Sequence, residues 1–281
     1  MNIKTLVATL CVSALLTACK KDEDANNPDK QTFTQTQEFN DVKSENDQAN
    51  SDADAAIDAF PALKGGRIAT DTSLNDICGC RIDRSEISNN KITLKYDGIT
   101  PCASPSRVRS GNIVIELTEG AGWSNAGAVI KITFVNFRVT EERSGNTVLI
   151  NGVKYRKNLN GINWLAFRLG QDSLVFNERG INMQVTVNGN GPHNYNMARR
   201  TVAFYKQKQN RRPLHFKAYG DTTIGNFANV DAWGTVKNGQ EFINTFDEPW
   251  SSDEFCWFSR PTAGKYTYRF NNNILAVTLG V

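Results

Sequence analysis

The stretch Lys265-Tyr266-Thr267-Tyr268-Arg269-Phe270 alternates without a break. Tyr266, Tyr268 and Phe270 fall on one face of an extended chain, and Lys265, Thr267 and Arg269 on the other. A period of two with one apolar and one polar face is the pattern of a half-buried antiparallel strand. Residues 91–97 repeat it, with Ile92, Leu94 and Tyr96 set against Thr93 and Lys95. Further strand-like runs cover 113–117, 129–139, 148–156, 163–169, 181–187, 201–207, 214–219 and 274–279. Between them lie Asn151-Gly152, Asn160-Gly161, Asn188-Gly189, Asn190-Gly191 and Asn238-Gly239, pairs that accept positive φ. Short strands at roughly 8–12-residue spacing with such turns predict a mainly β chain, packed as an antiparallel β-sandwich. Ten or more strands are generous for one sandwich, so the expectation is one large sandwich or two in succession. The body then divides into a sandwich over 67–191 and, over 192–281, a second β-rich region or a continuation of the first. The break is expected near Gly191-Pro192 or Arg212-Pro213.

Ahead of Gly66 the character changes. Residues 20–60 hold eleven acids and four bases, a net of −7, while 61–281 hold 18 acids and 27 bases, a net of +9. The whole chain of 281 residues is therefore only +3. Lys20 to about Asn50 is rich in Asp, Asn, Gln, Lys and Thr and poor in aliphatics. Such composition predicts a flexible tether, because little apolar surface is there to offset ordering entropy. Within 19–66, a faint stripe of Val42, Ala49, Ala53, Ile57 and Phe60 allows a short helix over 39–60.

The first eighteen residues have the layout of a secretory signal: Lys4, then an apolar run from Leu6 to Leu16, then Leu16-Thr17-Ala18-Cys19. The run is too short to span a bilayer as a stable helix. A cysteine at the cleavage point resembles a bacterial lipobox, which implies acylation of Cys19 and an outer-membrane lipid partner. In that oxidising setting Cys78, Cys80, Cys102 and Cys256 are the disulfide candidates. Cys78 and Cys80 are two apart and point to opposite faces of an extended chain, which argues against their joining each other. One of them is expected to pair with Cys102, leaving Cys256 as the odd member. No metal site is expected from Cys78-Gly79-Cys80, with no histidine nearby.

Lys20-Lys21-Asp22-Glu23-Asp24, directly after Cys19, is similar to the acidic export signal of Bacteroidetes-type surface lipoproteins. The segments Arg107-Val108-Arg109-Ser110-Gly111-Asn112-Ile113 and 128–137 resemble blocks that recur in that group, as do Cys256-Trp257 and Gly264-Lys265. The resemblance implies a surface-exposed, outer-membrane, lipid-anchored protein with a β-sandwich body, and it implies no particular activity. Relatives of that kind carry a further cysteine after the Cys256 position. None follows Cys256 here, which suggests a missing C-terminal piece.

Catalytic signals are sparse. His193 and His215 are the only histidines, and no G-x-S-x-G, H-E-x-x-H or GxxxxGK[ST] occurs. Asp247-Glu248 and Asp253-Glu254 bracket Trp250, with Trp257 close by. Paired carboxylates beside aromatic faces suit a sugar, bound or cleaved. Asp247, Glu248, Trp250 and Trp257 are therefore the ligand-binding candidates, and the enzymatic alternative uses the carboxylates of 247–254. The basic cluster Arg199, Arg200, Lys206, Lys208, Arg211 and Arg212, with Phe204 and Tyr205, reads as an exposed hairpin kept soluble by charge. The expectation is a non-catalytic binding, adhesion or envelope-structural protein with a glycan or other cell-surface ligand, no cofactor, no metal and no nucleic-acid partner.

Overall fold

The computed structural model describes residues 28–60, 63, 77–102, 106–207, 212–236, 239–253, 261–270 and 273–280. All but one of the alternating runs fall in strands, and the described residues form thirteen strands of one antiparallel sheet. They are β1 (Cys80–Asp83), β2 (Lys91–Cys102), β3 (Arg107–Glu119), β4 (Val129–Glu141), β5 (Thr147–Asn158), β6 (Ser173–Val187), β7 (Asn190–Gln207), β8 (Arg212–Gly220), β9 (Thr222–Ile224), β10 (Phe227–Thr235), β11 (Glu241–Asp253), β12 (Pro261–Phe270) and β13 (Asn273–Leu279). The main path runs β1 to β7 in sequence order, then β10, β11, β12 and β13, with β8 bridging β7 and β11 and β9 beside β10. Neighbours in sequence are neighbours in space, as hairpin connections favour. The divisions expected at 191–192 and 212–213 fall within β7 and β8, so the sheet passes through both without a break.

A diagonal row of irregularities bends the sheet. The register slips at 110/112 on β3, 134/137 on β4, 151/154 on β5 and 180/183 on β6. Gly111, Asn136, Gly152 and Asn182 all carry positive φ at these slips. Bulges aligned across strands turn a flat ribbon into a folded one. Two of them share a fastening: the Asn136 N–H donates to Asn151 Oδ1 at 2.7 Å, and the Asn182 N–H donates to Asn196 Oδ1 at 2.7 Å. Gly111 is required there, since a Cβ would sit 2.0 Å from the Asn136 carbonyl oxygen. The sheet folds over in a sandwich-like arrangement around one hydrophobic core.

Between its halves lies α1 (Pro28–Ala59), 32 residues long. Its side chains reach β2, β3, β5, β7 and β12, so the sheet wraps it. Phe39, Val42, Ala49, Ala53, Ala56 and Ile57 are buried, and the three alanines, at 0 % exposure, let the helix backbone approach the sheet closely. Phe39 packs edge-on against Phe242 and Tyr268, at 5.6 and 4.9 Å between ring centres.

The tether expected from Lys20 to about Asn50 is thus corrected from Pro28 onward: it is helix, and from Thr36 on one face of it is buried against the sheet. The reason lies in the charge asymmetry. Acids of α1 meet bases that the sheet points inward, so polar residues on the helix are core residues. Residues 163–169, expected as a strand, form α2 (Trp164–Arg168) instead. Asn163 caps it, its side chain accepting from the Ala166 N–H at 2.8 Å, which satisfies one of the donors a helix start leaves unpaired.

Candidate functional site

Two polar features stand out, one sealed and one open. The sealed one is the α1–sheet interface. Arg156 on β5 meets Asp54 at 2.6 Å and Glu178 of β6 at 3.3 Å. Its guanidinium also lies 3.9 Å from the centre of the Phe176 ring. Asp54 accepts a second bond from the Trp164 indole N–H at 2.8 Å. Arg109 on β3 pairs with Asp52, which also accepts from the Tyr96 hydroxyl at 2.6 Å. Arg199 on β7 bridges Asp231 at 2.6 Å and Asp47 at 2.8 Å. Lys154 on β5, at 0 % exposure, donates to Asn46 Oδ1 at 2.7 Å and Asn50 Oδ1 at 2.5 Å. Buried charges tolerate such a place only when paired and hydrogen-bonded. Burial pushes the Lys154 ammonium down to about 8, against the opposing pull of Glu178.

The open feature is a cleft of about 600 Å³ where α1 faces the gap between β3 and the last strands. Its floor is helix: Asn40, Asp41, Lys43, Ser44, Asp47, Gln48 and Ser51, spaced to share one side of α1. One wall is Arg107 of β3; the other is Asn244, Phe246 and Trp250 of β11, Tyr266 and Tyr268 of β12 and Leu279 of β13. Tyr266 and Tyr268 meet edge-on at 5.1 Å, and the Tyr268 hydroxyl donates to Asn40 Oδ1 at 3.0 Å. The Lys43 ammonium stands 4.7 Å above the Trp250 ring. Arg107 pairs with Glu45 at 2.6 Å, and Lys43 with Asp47 at 3.1 Å, so the charges of the cleft are largely matched within it. Burial raises the Asp41 carboxyl above its ordinary value; burial also raises Asp47, but Lys43 and Arg199 outweigh it and hold that carboxyl below the usual range.

The sequence-predicted ligand residues separate. Trp250 lines the cleft, half-buried. Asp247 and Glu248 are exposed and outside its lining, because β11 slips register on β12 between Phe246 and Glu248 and again between Glu248 and Ser251. Asp247 accepts from the hydroxyls of Thr245 at 3.2 Å and Thr267 at 2.5 Å. Trp257, Glu254 and Cys256 lie outside the described residues, as does Cys19. The structure adds cleft residues that the sequence reading passed over, chiefly Asp41, Lys43, Ser44 and Arg107. The helical spacing of the first three in α1 was the available signal, hidden by the expectation of a tether.

Cys78 bonds to Cys102 across 24 residues, and Cys80 is a free thiol. Burial, reinforced by Asp52, pushes that thiol up to about 12, which keeps it protonated and unreactive at neutral pH. His193 pairs with Val185 in the β6–β7 register, whereas His215 stacks on Phe204 at 5.6 Å. Of the basic cluster, Arg199 is buried and bound to acids, a correction to its place on an exposed hairpin. Tyr205 and Leu214 confirm the β7–β8 pairing itself. Among the described residues no group of three or more His, Cys, Asp or Glu is placed to hold a metal ion, and no helix is long and apolar enough to cross a membrane.

Comparison with known families, curated proteins and solved structures returns no match for this chain.

Proposed function

We propose that this chain is a lipid-anchored protein of the outer-membrane surface that binds a saccharide, without turning it over, in the cleft between α1 and the β11–β13 wall. The observation that carries the reading is the two-sided character of that cleft. Trp250 and Tyr266 offer ring faces on one side, and Asp41, Ser44, Gln48 and Ser51 offer hydroxyl, amide and carboxylate groups on the other. A pyranose has the same division, with an apolar C–H face and a rim of hydroxyls, and aromatic rings stack on the former. The volume of about 600 Å³ lies within the range of small-ligand sites. Internal pairing of Lys43 with Asp47 and of Arg107 with Glu45 favours a neutral sugar over a strongly ionic one.

Of the carboxylates of 247–254 that the enzymatic alternative uses, Asp247 and Glu248 lie outside the lining of this cleft. Asp247 is held by two threonine hydroxyls, and Glu248 faces Lys265 in the β11–β12 register. The address rests on the sequence: the apolar run, Cys19 and the acidic residues after it. A glycan array run beside a hydrolysis assay tests the binding. Saturable retention lost in Trp250→Ala and kept in Glu248→Gln supports it. Product release abolished by Glu248→Gln overturns it in favour of an enzyme, and absence of retention on every glycan overturns it in favour of a purely structural role. Membrane partition of Cys19→Ala tests the anchor; a variant that stays in the membrane fraction refutes it.

A further inference from the structure

Lys154 is an unusual lysine. Its ammonium is sealed from solvent and donates to two side-chain amide oxygens and to the Asn46 backbone carbonyl at 3.4 Å, with no carboxylate hydrogen-bonded to it among the described residues. The Phe134 ring centre is 5.4 Å from Nζ. A Cβ placed on Gly180 would touch Met183, Met197 and Lys154 together, which locates both methionines against the lysine stem. Asn46 is 1 % exposed, and its amide nitrogen faces the Met197 sulfur, at 3.5 Å. Glu178, 3 % exposed, sits on β6 beside Gly180, which is the register partner of Lys154.

We propose that Lys154 and Asn46 join covalently after folding, forming an isopeptide bond that ties α1 to β5. The geometry is close to that of reaction. With Oδ1 at 2.7 Å and a C=O bond of about 1.23 Å, Asn46 Cγ lies no more than about 3.9 Å from Nζ. Small motions bring that to the roughly 3–3.5 Å of a near-attack arrangement. A buried amine is the nucleophile of choice because burial favours its neutral form, and here burial does lower it, against Glu178 and Asp47 and together with Arg156 and Arg199. The lone pair of neutral Nζ attacks Cγ, and the carbonyl electrons move onto Oδ1. A proton passes from Nζ to Nδ2. The carbonyl re-forms, the Cγ–Nδ2 bond breaks and ammonia leaves. Amine and primary amide become secondary amide and ammonia, with no oxidant or cofactor consumed. Water, which would compete, is excluded by the pocket.

The test is mass spectrometry of the purified mature protein after incubation at pH 8–9. The expected result is a deficit of about 17 Da, the mass of ammonia lost to the lysine nucleophile. Trypsin should then yield one species joining residues 44–64 to residues 144–156, uncut after Lys154. Fragmentation should place the link at Asn46. Lys154→Arg, which keeps a cation and is checked for folding by circular dichroism, should show no deficit and no joined peptide. A folded wild-type protein that releases residues 144–154 with a free lysine overturns the bond. So does a deficit without the joined peptide, as an asparagine imide would give, and a link at Asn50 overturns the assignment to Asn46.

Discussion

Arg156→Met is the sharpest perturbation of the helix–sheet interface. Arg156 has its side chain 6 % exposed and stands between Asp54 and Glu178, whose side chains are 10 % and 3 % exposed. Methionine fills similar space and keeps contact with Phe176 and Trp123, so packing loss is minor. What remains is two carboxylates with no cation between them. Removing one partner of a buried pair costs about 3–5 kcal/mol, because the other charge is left in a poor solvent. Against a typical domain stability of about 5–15 kcal/mol, that is a large fraction. The triple variant Asp54→Asn/Arg156→Met/Glu178→Gln removes all three charges, and the amide oxygen it places at position 54 still accepts from the Trp164 indole. It should recover most of the loss, leaving it within about 1–2 kcal/mol of wild type, as buried ion pairs replaced by neutral groups do. Urea unfolding followed by far-ultraviolet circular dichroism and tryptophan fluorescence measures both. A single variant as stable as wild type, with α1 still helical, refutes the reasoning, since it means that water reaches these acids.

Reducing the Cys78–Cys102 bond, or replacing both cysteines by serine, should cost about 3.5 kcal/mol from the 24-residue separation, read as a drop in the urea midpoint. Asn163→Ala removes the α2 cap and its 2.7 Å bond to the Ser124 hydroxyl, and should lower stability by about 1 kcal/mol or somewhat more in thermal unfolding. Burial raises the Glu45 carboxyl above 4.5, so the folded state holds that proton more tightly than the unfolded one. Its contribution is fully present below pH 4.5 and is lost as pH rises through the raised value. The stability of wild type relative to Glu45→Gln should therefore be greater at about pH 4 than at about pH 7, and the opposite order in urea titrations at the two pH values counts against that burial.

Alternation was a faithful guide wherever a strand has one core face and one solvent face, as in residues 91–97 and 265–270. It failed at 163–169, where the asparagine that opens the run is a helix cap rather than a turn residue. The larger failure was α1. Counting its acids as solvated hid the stripe of Glu45, Asp52 and their neighbours, although the complementary signal was present on the sheet. Lys154 and Arg156 are in phase with Val148 and Ile150, and Arg109 with Ile113 and Ile115, so the alternation that located these strands also pointed their cations inward. A lone basic residue in phase with an apolar face is easily read as a snorkelling side chain. Two strands repeating it call for an acidic partner, and Asp52 and Asp54 of α1 were that partner. For the cleft, Trp250 was legible and its carboxylate neighbours were misplaced, because two bulges in β11 re-aim the chain after Phe246 and no residue pattern announces them.

The position of α1 also orders events in time. As the first described element it leaves the ribosome ahead of every strand that later surrounds it. Alone it has only a thin apolar stripe and a surplus of negative charge, so it has little reason to persist as a helix in water. Its partners arrive between Tyr96 and Tyr268, the latter more than two hundred positions downstream. Maturation of this protein is then a matter of waiting: the opening segment must stay unclaimed by neighbours until the sheet closes round it, which makes assembly slow and a chaperone for that interval useful.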